Sequence, residues 1–144
     1  MKNSIELKMA KTATDFEHAK KLILEYVNWL GIDLSFQNFD KEMAGLPEMY
    51  NYEDGGLFIA YINEEAVGIA GIRRFNKNDG EIKRMFVQPN SRGLGIGQLL
   101  LNHCIEKARK LNYDTIKLDT ADFMKSAIKL YTDNGFLEIG ANRH

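Results

Sequence analysis

The chain has few of the features that mark secreted, metal-binding or membrane-spanning proteins. Its 144 residues include one cysteine, Cys104, so no disulfide can form within the chain, which is typical of a reducing compartment. No apolar run approaches the roughly 20 residues that a membrane-spanning helix needs, and the opening stretch MKNSIELKMAKTATDF lacks the apolar core of a signal peptide. The histidines have no metal-ligand spacing. We therefore expect a cytoplasmic protein without a metal site or membrane contact.

An excess of charge of either sign is also missing. The formal net charge is −1, with 27% charged and 44% hydrophobic residues. Nucleic-acid-binding domains usually carry a strongly basic surface, so nucleic acid is not an expected partner. Repeats, low-complexity tracts and linkers are absent from the sequence. The length suits one domain, residues 1–144, that buries roughly 70% of its unfolded surface.

Hydrophobic periodicity predicts a mixed sheet. It indicates strands at 4–9, 57–62, 66–75, 81–87, 115–120 and 136–140, and helices at 14–30, 36–47, 96–111 and 123–135. The second, third and fourth strands are joined by short turns and should be antiparallel. The fourth and fifth flank a helix and should be parallel, with a right-handed crossover. The predicted fold class is α+β, a mixed and mostly antiparallel sheet with helices on both faces.

Helix ends can be placed from local residue chemistry. Thr14 or Asp15 is expected to cap the first helix, because their side-chain oxygens accept hydrogen bonds from the first N–H groups. Gly31 is expected to end that helix, and Gly45 with Pro47 the second.

The segment NSRGLGIGQLLL, residues 90–101, carries the strongest functional signal. Gly93, Gly95 and Gly97 lie between a predicted strand and a strong helix. A helix N-terminus offers unpaired N–H groups and a partial positive charge, and glycine lets a ligand approach the backbone. With Arg92 in front, this pattern predicts an anion site, most often for phosphate. The alternative is a flexible surface turn.

Two other phosphate motifs do not fit. A P-loop requires Gly-Lys followed by Ser or Thr, whereas Gly97 is followed by Gln98 and Leu99. A dinucleotide-binding fingerprint requires G-x-G-x-x-G spacing in a βαβ unit, whereas the spacing here is G-x-G-x-G after antiparallel strands. A nucleotide-binding domain of that kind is therefore disfavoured.

Two motifs resemble one known family. VQPNSRGLGIGQLLL is similar to the acyl-CoA pyrophosphate loop of the GNAT superfamily of N-acetyltransferases, Arg/Gln-x-x-Gly-x-Gly/Ala, at Arg92, Gly95 and Gly97. SAIKLYTDNGF resembles a later helix signature of the family, Ala-x-x-x-Tyr-x-x-x-Gly-Phe, at Ala127, Tyr131, Gly135 and Phe136. The predicted strand order is also the family's order. The resemblance covers about residues 4–140, nearly the whole chain.

The resemblance implies acetyl-CoA as co-substrate. The fourth strand would bind the pantetheine arm through its backbone, where a bulge makes the fourth and fifth strands splay apart, and the glycine segment would hold the pyrophosphate. The residues implied in cofactor binding are Met85, Phe86, Val87, Arg92, Gly93, Leu94, Gly95, Ile96, Gly97, Gln98, Thr120, Ser126, Ala127 and Tyr131.

The same resemblance implies two catalytic side chains. Tyr131 matches the tyrosine that donates a proton to the departing thiolate, and otherwise packs on its helix. An amine with a pKa of about 10.4 must lose a proton before it attacks. Glu81 matches the carboxylate that takes this proton, directly or through water, and otherwise faces solvent. The expected reaction is acetyl transfer to a primary amine by direct attack in a ternary complex, and the alternative is a non-catalytic acyl-CoA-binding module.

The acceptor half is less defined. A small-molecule or peptide amine is expected, and Glu48, Glu53 and Asp54 could attract it. Aromatic residues of the first two helices and the following loop either form core or line an acceptor pocket: Tyr26, Trp29, Phe36, Phe39, Tyr50 and Tyr52. Family members usually end with a seventh strand, which we expect to be missing after GANRH: the sequence is truncated, it is naturally shorter, or a partner subunit of a homodimer supplies the strand.

Overall fold

The computed structural model describes residues 4–31 and 39–118. The strands are β1 (Ile5–Met9), β2 (Gly56–Ile62), β3 (Glu65–Arg74), β4 (Asp79–Val87) and β5 (Thr115–Leu118), and the helices are α1 (Ala13–Leu30), α2 (Phe39–Ala44), α3 (Leu46–Met49) and α4 (Ile96–Lys110). The predicted helix 123–135, the strand 136–140 and the question of a seventh strand lie outside the described residues, as do Phe36, Thr120, Ser126, Ala127 and Tyr131.

The described strands form one sheet in the order β1-β2-β3-β4-β5. The first three pairs are antiparallel and β4–β5 is parallel, from Asp79 opposite Thr115 to Ile82 opposite Leu118, which confirms the prediction. The β2–β3 turn consists of Asn63 and Glu64, with φ of 52° and 71°. Both residues have the left-handed backbone conformation, as in the type I′ turns whose twist matches that of the two strands of a hairpin.

Helices cover both faces of the sheet, as predicted. On one face α1 and α3 pack on a core of Ala19, Leu22, Ile23, Tyr26, Val27, Leu46, Tyr50, Leu57, Ile59, Tyr61, Ile69 and Phe86. On the other face α4 contributes Ile96, Leu100, Leu101, Cys104 and Ala108 to a second core with Ile72, Ile82 and Met85. These helical positions recur at the three-to-four-residue spacing of an amphipathic stripe. No helix in the described ranges is long and apolar enough to span a membrane.

The N-terminus of α1 differs from the sequence-based expectation. Its N-cap is Thr12, whose Oγ1 accepts from the Asp15 N–H at 3.1 Å, while Asp15 Oδ2 accepts from the Thr12 N–H at 3.2 Å. The predicted caps, Thr14 and Asp15, are therefore wrong, because the reciprocal capping box needs an acceptor three residues before Asp15. Gly31 ends the helix with φ 74°, as predicted.

Asp15 is an unusual buried carboxylate at this cap. Burial alone would raise its pKa, but hydrogen bonds from the N–H groups of Lys11 and Thr12, together with Lys8 Nζ at 3.3 Å, lower that pKa from 3.8 to about 2. The ionised form is therefore the one that the fold stabilises.

The second predicted helix is two short helices, α2 and α3, separated at Gly45. Pro47 lies in the first turn of α3 rather than ending a helix, so that part of the prediction is wrong. Proline is tolerated there because the first N–H groups of a helix have no intrahelical acceptor. β4 begins at Asp79 instead of the predicted Glu81.

Candidate active site

A bulge interrupts β4 in the middle of the sheet. Ile69 pairs with Phe86 and Gly71 with Lys83, so a single residue of β3 faces both Arg84 and Met85. Arg84 has a φ of 59°, a left-handed conformation that costs a non-glycine residue of order 1–3 kcal/mol and that tends to occur at functional sites. The bulge implied by the family resemblance is thus present at Arg84. The implied splay between β4 and β5 would begin beyond Leu118, outside the described residues.

The bulge changes which face each side chain of β4 occupies. Ile82 belongs to the core under α4, whereas Phe86 belongs to the core under α1. Residues four apart in a regular strand share a face, so the extra residue is what places Phe86 opposite Ile82. Glu81, next to Ile82 in the regular part of β4, therefore faces the side of α1, α2 and α3.

Arg84 is held in place by α2. Its Nε donates to Glu42 Oε2 at 2.9 Å and its Nη2 to Glu42 Oε1 at 2.5 Å. The side chains are 15% and 13% exposed. Burial would lower the pKa of Arg84, but the hydrogen bonds and the charge of Glu42 outweigh it and raise that pKa. This forked, largely buried ion pair fixes α2 over the bulge.

Glu81 is also paired. Arg73 Nε donates to Glu81 Oε1 at 3.3 Å, and the Glu81 side chain is only 13% exposed. The two residues are opposite each other in the β3–β4 ladder. The structure therefore does not place Glu81 on the open surface, and its carboxylate lies on the helix-covered face.

Tyr50 lies next to the Arg73–Glu81 pair, because its ring is against Gly71, two residues before Arg73 in β3, and the charges of Glu42 and Arg84 also act on its hydroxyl. It is 3% exposed, and its ring lies against Gly71, where a Cβ would be 2.5 Å from Tyr50 Cε1. Its hydroxyl is buried and has no hydrogen-bond partner. Burial, aided by the charge of Glu42, raises the pKa of Tyr50 well above its usual range, so the hydroxyl stays protonated.

An open cleft adjoins this group of residues. Its volume is about 420 Å³, and its lining is Gly45, Glu48, Met49, Asn51, Asp54, Arg73 and Arg74. Glu48 and Asp54, both predicted to attract an amine, lie in this lining, and Asp54 pairs with Arg74 at 3.2 Å. Of the aromatic residues predicted for a pocket wall, Tyr52 lies apart, exposed beside Lys107, whereas Tyr26 and Tyr50 are buried in the α1-side core.

The glycine segment follows β4 and a short turn at Pro89–Ser91. Gly93 and Gly95 have φ of 85° and 81°, and a Cβ at either position would meet nothing within 4 Å. Among the described residues no hydrogen-bond acceptor is recorded for the N–H groups of 93–97. The α4 N-terminus has no side-chain cap and no acidic residue in its first turn. These features leave an open row of donors at a positive helix end, which fits a phosphate group.

Arg92 is anchored at the side of this loop. Its Nε donates to the Val87 carbonyl at 2.9 Å, and its guanidinium stands 4.8 Å from the Trp29 ring centroid and 5.9 Å from that of Phe86. Sequence reasoning missed this role of Trp29, because a cation–π contact between a helix end and a distant loop leaves no local pattern.

The predicted cofactor residues up to Gln98 form one continuous stretch from the bulge to the first turn of α4. Met85, Phe86 and Ile96 have buried side chains in the two cores, so only their backbones are available to a ligand. Leu94 is exposed, and Gln98 Nε2 donates to Asn102 Oδ1 at 2.8 Å.

Within residues 4–31 and 39–118, the cysteine and the potential metal ligands are not arranged for chemistry. Cys104 is fully buried, and burial raises the pKa of its thiol, so it is not a nucleophile at neutral pH. In the described parts of the chain, no group of histidine, cysteine and acidic residues could hold a metal ion.

Comparison with known proteins agrees with this arrangement. The model of the acetyltransferase (GNAT) family matches residues 23–136. The chain belongs to the GNAT acetyltransferase family. An uncharacterised N-acetyltransferase of Schizosaccharomyces pombe is 35% identical over 93% of this chain and 83% of its own. One of Dictyostelium discoideum is 31% identical over 92% of this chain and 89% of its own. N-Acetylaspartate synthetase of Rattus norvegicus is 30% identical over 92% of this chain and 42% of its own.

Solved structures share the fold. A GNAT acetyltransferase of Staphylococcus aureus superposes with a TM-score of 0.83 at 29% identity, covering 96% of this chain and 86% of its own. A predicted acetyltransferase of Clostridium acetobutylicum, solved with acetyl-CoA, superposes with a TM-score of 0.82 at 17% identity, covering 98% and 95%. Membership of the family confirms the predicted fold class, N-acetyltransferase activity and acetyl-CoA as co-substrate.

Proposed function

We propose that this GNAT acetyltransferase transfers the acetyl group of acetyl-CoA to a primary amine by direct attack within a ternary complex. The observation that carries the proposal is the open row of N–H groups at 93–97, which follows a strand bulged at Arg84. The Clostridium acetobutylicum protein of the same fold was crystallised with acetyl-CoA, which supports this use of the fold.

The donor side of the site is formed mainly by backbone. The N–H groups of 93–97 would bind the pyrophosphate, with Arg92 adding positive charge beside them. The backbone of Met85, Phe86 and Val87 would hold the pantetheine arm along β4. Acetyl-CoA supplies the acyl group and a thiol leaving group. Thr120, Ser126 and Ala127 remain predicted contacts with its thiol end.

The acceptor side is the face of β4 that carries Glu81. An incoming ammonium group would release its proton to Glu81, directly or through water, and the free amine would then attack the acetyl carbonyl. Because Arg73 already pairs with Glu81, the ammonium group would either share the Glu81 carboxylate with the Arg73 guanidinium or displace that guanidinium. Tyr131 remains the predicted donor of a proton to the departing thiolate, which would otherwise carry full charge in a partly dry cleft.

The acceptor itself is a small-molecule or peptide amine. The cleft of about 420 Å³ beside Arg73 has room for a small molecule or the end of a peptide. The N-acetylaspartate synthetases are named for an N-acetylated small amine, which supports the small-molecule class. A cytoplasmic location and a homodimer stay predictions.

The proposal is tested first by calorimetric titration with acetyl-CoA, with NADH as the control ligand. Saturable binding of acetyl-CoA alone is expected. Release of CoA is then measured with a panel of primary amines for the unmodified chain, Tyr131→Phe and Glu81→Gln. Both variants should bind acetyl-CoA normally and turn over more slowly. Binding without CoA release from any amine would instead support the acyl-CoA-binding module.

A further inference from the structure

Among the residues around Tyr50, the Tyr50 hydroxyl is a hydrogen-bond donor without an acceptor. We call Tyr50 and its four charged neighbours, Glu42, Arg84, Arg73 and Glu81, the Tyr50 cluster. Both oxygens of Glu42 accept from Arg84, and Glu81 Oε1 accepts from Arg73. The buried Tyr50 hydroxyl donates to nothing. The two positive and two negative charges balance, so the cluster has no net charge, and what it lacks is an acceptor for the Tyr50 hydroxyl.

An unpaired buried hydroxyl is costly, and this one is avoidable. Leaving such a group without a partner costs about 1–3 kcal/mol, and most buried polar groups are paired for that reason. In the described part of the chain the Tyr50 hydroxyl is the buried side-chain nitrogen or oxygen that has no hydrogen-bond partner. Phenylalanine would pack against Gly71 equally well without that cost. The hydroxyl is therefore better explained by a partner that arrives with a ligand than by packing.

A ligand can approach the cluster from the cleft. Gly45, Met49 and Asn51 line the cleft and are close neighbours of Tyr50 in the chain, and Arg73 belongs to both the cleft and the cluster. The cleft lining carries Glu48 and Asp54 together with Arg73 and Arg74, and Asp54 pairs with Arg74 at 3.2 Å. A ligand with both an ammonium and a carboxylate group would thus find partners of both signs along the cleft, and Arg73 at the end next to the cluster.

We propose that the Tyr50 cluster binds a carboxylate of the amine acceptor, so that the acceptors of this enzyme are amino acids or peptides with a carboxylate close to the reacting amine. The carboxylate oxygens accept from the Tyr50 hydroxyl and from the guanidinium groups of Arg73 and Arg84, and the amine lies at Glu81. Amine and carboxylate are close together because the Tyr50 ring lies against Gly71, two residues along β3 from Arg73, which pairs with Glu81 across the ladder. The inference rests on the proposed function.

The substrate class is tested by initial rates of CoA release from acetyl-CoA. Free L-amino acids, including L-aspartate and L-alanine, are compared with their α-carboxamides and with spermidine, which has no carboxylate. The expected kcat/KM is at least about tenfold higher for the best acid than for its amide, as expected for loss of one hydrogen bond to a charged group. Equal rates for acids and amides, or a preference for spermidine, would overturn the inference and leave the proposed function intact.

Tyr50→Phe isolates the role of the hydroxyl. The variant should raise KM for the preferred acid about 10- to 100-fold and leave KM for acetyl-CoA unchanged. The ratio of kcat/KM for the acid to kcat/KM for its amide should become smaller. Tyr52→Phe, an exposed tyrosine close by in the chain, is the matched control and should change nothing. Unchanged kinetics of Tyr50→Phe with a raised melting temperature would mean that the hydroxyl is only a buried polar group, which refutes the inference. Absence of CoA release with every amine would refute the proposed function, and the inference with it.

Discussion

Gly95 connects the backbone conformation of residues 93–97, the glycine loop, to their proposed role in binding the pyrophosphate of acetyl-CoA. It has φ 81° and ψ 9° at the N-cap of α4, and a Cβ there would meet nothing within 4 Å. In Gly95→Ala the whole cost is therefore backbone strain, about 1–2 kcal/mol for an alanine in the left-handed region. For a domain of this size that corresponds to a fall in melting temperature of roughly 2–8 °C.

The effect on acetyl-CoA should be larger than the effect on the fold. Strain at residue 95 is relieved by rotating its φ, which turns the neighbouring N–H groups of 93–97 away from a bound pyrophosphate. Losing one charge-assisted hydrogen bond costs about 1.5–3 kcal/mol, so the Kd for acetyl-CoA should rise about 10- to 100-fold. Calorimetric titration measures the Kd, and thermal unfolding measures the strain.

Asn112→Ala provides the control for strain without ligand contact. Asn112 is also left-handed, with φ 60°, but it follows the opposite end of the 15-residue helix α4, about 22 Å from the loop. The variant should lose stability by about 1 kcal/mol and bind acetyl-CoA normally. A normal Kd for Gly95→Ala would refute the pyrophosphate role of the loop, and a normal melting temperature would refute its left-handed conformation.

Three further predictions concern other parts of the fold. Gly71→Ala would place a Cβ 2.5 Å from the Tyr50 ring and should lower the free energy of unfolding by about 1–3 kcal/mol in urea titration; an unchanged value would contradict this packing. Asp15 has its pKa lowered from 3.8 to about 2, so it stabilises the fold by roughly 2 kcal/mol at neutral pH and loses this as pH falls towards 2. The stability gap between the unmodified chain and Asp15→Asn should therefore close in acid, and a gap constant with pH would contradict it. Trp29→Ala removes the ring beneath Arg92 and should raise the Kd for acetyl-CoA about two- to fivefold. An unchanged Kd would mean that the contact between Trp29 and Arg92 stabilises the fold only.

Local patterns predicted most of the described elements because their causes are local. The apolar stripe of α4 and the alternation of β2 and β3 follow from helix and strand periodicity. The predicted ends of the helices are less accurate than the predicted elements themselves. Thr12 and Thr14 are equally good caps by residue type, and the choice depends on Asp15 being three residues after Thr12. Pro47 can end a helix or start one, and its place in α3 depends on the packing of Leu46 in the α1-side core.

The candidate site also has a part that local sequence predicts and a part that it does not. The glycine loop could be predicted because its glycines and Arg92 are close together in the chain and its proposed function depends on backbone conformation. The Tyr50 cluster could not, since Glu42, Tyr50, Arg73 and Arg84 lie in four separate segments. The bulge could not be predicted from residues alone either: EIKRMFV has no glycine or proline to mark it, and it is defined by the register of β4 against β3.

The sequence by itself determined the family, the order of the described strands and the place of the glycine loop, because each depends on residues close together in the chain. Only the tertiary structure decided that Glu81 is paired and largely buried, that Arg84 carries the bulge under Glu42, and that Tyr50 has an unpaired hydroxyl beside them. The physical reason is that pairing and burial depend on which distant segments meet. Periodicity shows which face of an element is buried, but it does not show what lies against that face.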